Sequence, residues 1–228
     1  MKKKILGIIP ARSGSKGIRN KNITKINGKP LISYTIKSAL ESKLLSDVIV
    51  STDSIKIKKI ALKYGAKVPF LRPKKLATDT SNIIDTIKFC LKKMENKFQY
   101  DYVILLQPTS PLRKFNEIDK SIKKIMLMKY DSLISLTKVE EPHPIKLKRI
   151  IDKNVYPYLK NNKKDNPPRQ LLPEVFKPSG NIYITKRNIV IKKNKILGPK
   201  TTYIIIDEKN FLNIDTKADL IDAQKKLR

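Results

Sequence analysis

Acidic residues are scarce in this 228-residue chain: 20 Asp and Glu stand against 50 Lys and Arg, for a formal net charge of +30. Cysteine and histidine are scarcer still, with one of each, Cys90 and His143. A single cysteine excludes an internal disulfide and any zinc site built on cysteines. Cys90 also falls in a helical pattern with Ile84, Ile87, Leu91 and Met94, which reads as a buried structural thiol rather than a nucleophile. The lone histidine lies between Pro142 and Pro144, where a turn or hinge role weighs at least as much as direct chemistry. No apolar run reaches the length of a membrane span. The Met1-Lys2-Lys3-Lys4 start followed by Ile5 to Ile9 imitates a secretory signal, but the apolar part is too short, and Pro10, Arg12 and Lys16 interrupt it. It reads instead as a strand, and the expectation is a soluble, cytoplasmic protein without membrane insertion.

A charge excess of this size ordinarily points to a nucleic-acid partner. Its distribution argues otherwise. The lysines are scattered over helical surface positions such as Lys56, Lys59, Lys63, Lys120 and Lys123, among many Ile and Asn residues, as on any solvated face. No helix-turn-helix, zinc finger or aromatic RNA-binding pattern accompanies them, so no specific nucleic-acid partner is expected.

What is present is a compact α/β pattern. The length suits a single domain over 1–228, and a hydrophobic content of 40% suffices for a core. Ile5–Ile9, Asp47–Ser51, Lys67–Phe70, Tyr102–Leu106 and Ser132–Leu136 read as strands, with amphipathic segments between several of them, for example Ile32, Ile36, Ala39 and Leu40 on one face. This alternation predicts a mainly parallel, doubly wound sheet with helices on both faces and a site outside the carboxyl ends of its strands. Between about 140 and 178 seven prolines, from Pro142 to Pro178, and the polar tract 160–166 interrupt the pattern and mark an excursion. Gly180–Thr185, Tyr203–Asp207 and a helix from Thr216 to Leu227 complete the chain.

Three loops meet on the predicted rim. The loop after the first strand, Pro10-Ala11-Arg12-Ser13-Gly14-Ser15-Lys16-Gly17, carries glycines that let backbone amides approach phosphate, hydroxyls that add donors, and cations that offset the charge of about −4 on a triphosphate. It matches neither the P-loop nor the dinucleotide fingerprint. The others are Ser51-Thr52-Asp53 and Leu106-Gln107-Pro108-Thr109-Ser110-Pro111-Leu112-Arg113.

Together with Arg72-Pro73, Ala77-Thr78-Asp79-Thr80, His143-Pro144, Arg169-Gln170, Gly180-Asn181-Ile182-Tyr183 and Ile214-Asp215-Thr216, these motifs resemble, in order and across nearly the whole chain, the bacterial N-acylneuraminate cytidylyltransferases. A related family acting on an eight-carbon sugar acid opens similarly but typically has Thr-Arg where Ser15-Lys16-Gly17 stands here. The resemblance implies a nucleotidyltransferase-like, Rossmann-like fold and transfer of CMP from CTP to a nine-carbon 2-keto sugar acid, with release of pyrophosphate. N-acetylneuraminate is the first choice, and legionaminic, pseudaminic and eight-carbon acids are alternatives. It implies Lys16 and Lys21 on the phosphates, with Ser15 completing the cradle, and Arg12, Asn22, Arg72 and the turn to Ser81 around the nucleotide. Gln107, Thr109 and Ser110 fall on the sugar side. Arg169 and Gln170 come from an arm that packs on a second subunit in a homodimer, where a guanidinium suits a carboxylate. Arg113 could instead cap the following helix.

The resemblance further implies Mg²⁺, held where relatives commonly carry two aspartates two residues apart. Here the first is Asn213, leaving Asp215 as principal ligand and catalytic group. An amide oxygen still suits a hard cation, with one negative charge fewer. Asp215 could also simply cap the last helix. The loss of that charge keeps open a second reading, a catalytically reduced relative serving as a basic nucleic-acid-binding module.

Overall fold

The computed structural model describes residues 3–15, 17–95, 99–159 and 167–227. Along the chain run β1 (Ile5–Pro10), the short β2 (Lys25–Ile26) and β3 (Lys29–Pro30), α1 (Leu31–Leu40), β4 (Asp47–Ser51), α2 (Ile55–Lys63), α3 (Ile83–Met94) and β5 (Tyr102–Leu105). They continue with α4 (Phe115–Met128), β6 (Ser132–Val139), β7 (Lys148–Ile151), β8 (Asn154–Pro157), β9 (Val175–Lys186), α5 (Arg187–Lys193), β10 (Thr201–Ile205) and α6 (Lys217–Lys226).

A six-stranded sheet in the order β10-β6-β9-β5-β1-β4 forms the centre. β1 pairs in parallel with both β4 and β5, and β6 with β10, whereas β9 runs antiparallel to β5 and β6. The mainly parallel α/β expectation therefore holds, with one reversed strand. That reversal follows from the connection: β9 returns directly along β6 after the excursion, without a crossover helix of the kind a parallel strand requires.

Period-2 side-chain alternation divides each central strand between two cores. Ile5 and Ile9 of β1 and Ile104 of β5 join the cluster with α1, α2 and α4, while Leu6, Ile8, Val103 and Leu105 join Ile87, Cys90 and Leu91 of α3 on the opposite face. Cys90 is fully buried, and burial pushes its thiol up to about 11, as suits a structural residue. A third cluster lies off the sheet and joins Ile18, Ile26 and Leu31 to Leu212, Ile214 and Ala223, drawing the C-terminal segment against the first loop.

The strand expected over Lys67–Phe70 does not form. Ile49 and Lys67 make an isolated bridge, and Val50 N donates to Lys67 O, but Pro69 has no N–H with which to extend a ladder. The excursion contains the β7–β8 hairpin, a two-stranded sheet separate from the main one. His143 acts at its base: Nδ1 accepts from Ile145 N at 3.2 Å, and Nε2 then donates to Pro173 O at 3.0 Å, joining the outgoing and returning chains. Both ring nitrogens are thus occupied by backbone, the hinge role expected of it.

Ile104 has no exposed surface at the centre of the sheet. Replacing it by alanine should destabilise the fold by about 3 kcal/mol, through lost burial and an uncollapsed cavity. Urea unfolding followed by circular dichroism measures this.

Candidate active site

Loops leaving the carboxyl ends of β1, β4 and β5 converge as expected, and the segment before α6 closes over them. The first loop is fixed at both ends. Asp53, just past β4, accepts from Ser13 N at 2.9 Å and from Ser13 Oγ at 2.5 Å. Asn22 is buried and donates from Nδ2 to Arg12 O at 2.9 Å, so it closes the loop. Gly17 is needed for close packing: a Cβ there would stand 2.6 Å from Asp215 O. Gly14 has open space around its Cα, so the two glycines are not equivalent. Lys16 lies outside the described residues.

The loops enclose a cleft of about 560 Å³. Arg12, Ser15, Lys21, Asn22, Arg72 and Ser81, all expected at the nucleotide, line it. Ser81 Oγ donates to Thr78 O at 2.7 Å and so shapes the facing turn. Arg12 Nη1 pairs with Asp79 Oδ1 at 2.5 Å, joining loop and turn with an ion pair that any anionic ligand of Arg12 must compete with. Arg72 is 5% exposed, and its Nη1 reaches Thr86 Oγ1 at 3.4 Å. Burial pushes its pKa down and the neighbouring Asp53 opposes this, at 4.0 Å from Nη2. Its Nε and Nη2 have no hydrogen-bond partner, a costly condition for a buried cation and one that a ligand oxygen would relieve.

A second cavity of about 570 Å³ adjoins the first, and Gln107 and Asp215 line both. Gln107 is held from behind by Arg113, which is buried and donates to Gln107 O at 2.8 Å, Asn181 O at 2.7 Å and Thr35 Oγ1 at 3.2 Å. Burial pushes the guanidinium down to about 9, and these acceptors replace the lost water. Arg113 is therefore a clamp beneath the loop rather than a helix cap. On the other side Gly180 adopts φ +75°, and a Cβ on it would stand 3.1 Å from Gln107 Oε1. The side chain of Gln107 thus packs on bare backbone.

Thr109 lines the first cavity, with a buried hydroxyl that has no partner, and its carbonyl accepts from Ile214 N at 2.9 Å. Ser110, beside it, is 1% exposed and its hydroxyl likewise has no hydrogen-bond partner. Gln170, in the 3₁₀ turn Arg169–Leu171, is exposed and lines neither cavity within one chain, while the side chain of Arg169 lies outside the described residues.

Lys21 reaches across to the C-terminal segment, donating to Ile214 O at 2.9 Å and to Asp215 Oδ1 at 2.8 Å. The helix-cap reading of Asp215 is overturned. Thr216 caps α6 by accepting from Asp219 N at 3.3 Å, while Asp219 Oδ2 accepts from Thr216 N at 2.7 Å and Asp215 N at 2.9 Å. This capping box leaves the carboxylate of Asp215 facing the junction of the two cavities. Asn213 Nδ2 donates to Asp215 Oδ2 at 2.5 Å, and Asn213 Oδ1 is buried without a partner. Among the described residues no group of three or more His, Cys, Asp and Glu could hold a metal. One carboxylate beside an unsatisfied amide oxygen fits a cation only where a ligand and water supply most of its coordination, as is usual for Mg²⁺.

The motifs contain Asp53, Asp79 and Gly180 but by themselves indicate no role for them at the site. Asp53 acts through the loop rather than on a ligand, and the positive φ of Gly180 has no composition signal beyond the residue itself.

The cytidylyltransferase family model matches residues 6–188. The chain is 37% identical to an N-acylneuraminate cytidylyltransferase of Escherichia coli over 96% of its own length, and spans 51% of that longer protein. It is 35% identical to the CMP-N,N'-diacetyllegionaminic acid synthase of Legionella pneumophila, covering 97% of this chain and 95% of that one. Among solved structures it is similar to a CMP:2-keto-3-deoxy-manno-octonic acid synthetase complexed with CTP, with TM-score 0.72 and 18% identity over 98% of each chain, a likeness of fold.

Gly17→Ala should raise the KM for a nucleotide ligand and lower turnover by about 10-fold or more, because the added methyl forces loop and segment apart. Stability should fall by no more than about 2 kcal/mol. Steady-state kinetics beside a thermal melt read both.

Proposed function

This chain belongs to the cytidylyltransferase family, and we propose that it activates a nine-carbon 2-keto sugar acid, N-acetylneuraminate or a close relative, with CTP to give the CMP-sugar and pyrophosphate. The observation that carries the reading is the pair of adjoining cavities sharing Gln107 and Asp215. A nucleotide in one and an acid in the other would meet at that boundary. There the anomeric hydroxyl attacks the α-phosphorus while the bond to the bridging oxygen of pyrophosphate breaks.

Each residue's part follows from its surroundings. The free N–H groups of Arg72 suit a carbonyl oxygen of cytosine, and Asn22 keeps the loop in register. Arg12 exchanges Asp79 for phosphate oxygen. Lys21, anchored on Ile214 O, offsets charge building on the phosphates, and Lys16 adds a second cation from the same loop. Gln107, immobilised by Arg113, orients the acid, so that much of the rate would come from alignment of two bound reactants. Asp215 with Asn213 would hold Mg²⁺, which when bound supplies charge neutralisation at the triphosphate.

Incubation with CTP, Mg²⁺ and a panel of N-acetylneuraminic, legionaminic, pseudaminic and 3-deoxy-manno-octulosonic acids tests the reading. Pyrophosphate should be released only when an acid is present, and fastest with a nine-carbon one. No turnover, together with salt-sensitive binding to DNA or RNA, would support a reduced, nucleic-acid-binding relative instead. In the same assay Asn213→Asp should lower the Mg²⁺ concentration for half-maximal rate and Asp215→Asn should raise it. Unchanged Mg²⁺ dependence in both would place the metal elsewhere.

A homodimer formed by the excursion is the second part of the proposal. Ile150 and Val155 face each other across β7–β8 and are 77% and 66% exposed, and Tyr158 and Leu171 are also open to solvent. An isolated hairpin with such a face gains by covering it, and a second copy would also bring Arg169 and Gln170 towards a neighbouring cleft. Ile150→Glu with Val155→Lys should convert a dimer into a monomer in sedimentation velocity at micromolar concentration. A wild-type monomer under those conditions would end the arm assignment.

A further inference from the structure

The second cavity has an electrostatic asymmetry that the motifs did not reveal. Its walls carry two carboxylates, both engaged: Asp215 accepts from Lys21 and Asn213, and Asp219 accepts from two backbone amides ahead of α6. The cation on its lining is Lys177 of β9. Among the described residues no carboxylate forms an ion pair with it, whereas the nearby Lys138 is neutralised by Glu174 at 2.6 Å. Lys177 is also positioned. Its strand residue pairs with Thr137 in the sheet, and its Nζ stands 5.7 Å from the centroid of the Phe211 ring, within reach of a cation–π contact. An ammonium beside a ring face still has N–H donors left for a ligand oxygen.

We propose that Lys177 binds the carboxylate of the acid substrate and so makes this cavity selective for acids over neutral sugars. The inference rests on the reaction proposed above, which requires an anion in this cavity. Asp215 is already paired with Lys21, whereas Asp219 is bonded to neutral backbone amides and would repel that anion unless a cation answered it, which a compact ammonium does as a point charge. The carboxylate is bonded to the anomeric carbon itself, so Lys177 would also hold that carbon in the part of the cavity that Gln107 lines. Arg169 of the excursion need not be the sole cation for the acid, because Lys177 comes from the same chain as the cleft.

The test pairs a side-chain change with a substrate change. For wild type, Lys177→Met and Lys177→Arg, KM and kcat are measured with the panel acid that wild type turns over fastest and with its methyl ester, at saturating CTP. Wild type should have a KM for the ester about 10- to 100-fold above that for the acid, the range that a lost charge-assisted hydrogen bond commands. In Lys177→Met the KM for the acid should rise by a similar factor and the acid–ester ratio should fall towards one, with the KM for CTP within about twofold of wild type. Lys177→Arg should restore most of the preference. Lys177 is exposed, so a thermal melt should be nearly unchanged, and a general folding defect would raise the KM for CTP as well. If Lys177→Met keeps the wild-type acid–ester ratio, the assignment is wrong and the carboxylate is held by another cation. If wild type releases no pyrophosphate with any acid of the panel, the proposed reaction itself fails and takes this assignment with it.

Discussion

The site depends on one long-range closure: the segment around Ile214 and Asp215 is drawn onto loops formed roughly a hundred and two hundred residues earlier. Ile214 supplies most of the means. Its side chain is buried against Ile18 and Leu31, its N–H donates to Thr109 O, and its carbonyl accepts from Lys21. Asp215 follows with its carbonyl against Gly17 and its carboxylate on Lys21. Apolar burial brings the segment in, and directional bonds then set its height over the cleft. A side chain at position 17 would hold the two apart, so one missing methyl group permits the whole contact.

Two buried guanidinium groups divide the remaining labour. Arg113 engages each of its three nitrogens with the protein, joining the Gln107 loop to β9 and α1, and so converts a proline-bounded loop into a rigid wall. Arg72 is nearly as buried and lines the cleft, yet two of its nitrogens have no hydrogen-bond partner. The same chemical group is structural in one place and waits for a ligand in the other. The difference lies in the acceptors around each one, since an unsatisfied buried donor is tolerated chiefly where a ligand completes it. Asp53 couples the systems, holding Ser13 of the first loop while it offsets the charge of Arg72.

The excess positive charge takes on a limited meaning in this setting. Some cations are spent within the site, as Lys21 is, and others face cavities, as Lys177 does, while many of the rest lie on exposed helix faces. In the cleft Arg12 is paired with Asp79 and Lys21 with Asp215, so an anionic ligand would compete for these cations rather than meet free charge, and low-dielectric walls strengthen whatever field results.

Much of this architecture was legible in the residues. Period-2 and period-3.6 patterns foretold the two-faced sheet, because burial on both sides leaves a local trace in every strand and helix. That Arg12, Lys21, Arg72 and Gln107 would line one cleft was legible because loops leaving the carboxyl ends of parallel strands gather on one rim. Lys67–Phe70 was misread since its apolar character matched a strand while Pro69 denied it a ladder. Tertiary structure alone decided the rest: that β9 runs backwards, that Arg113 is a clamp, and that Thr216 rather than Asp215 caps the last helix. Each depends on which backbone groups lie opposite a side chain once distant segments have packed, and no local pattern encodes that pairing. The sequence by itself determined which groups were available; the packing of distant segments decided which of them remained free for a ligand, because a hydrogen-bonding group spent on the fold has nothing left to offer the cleft.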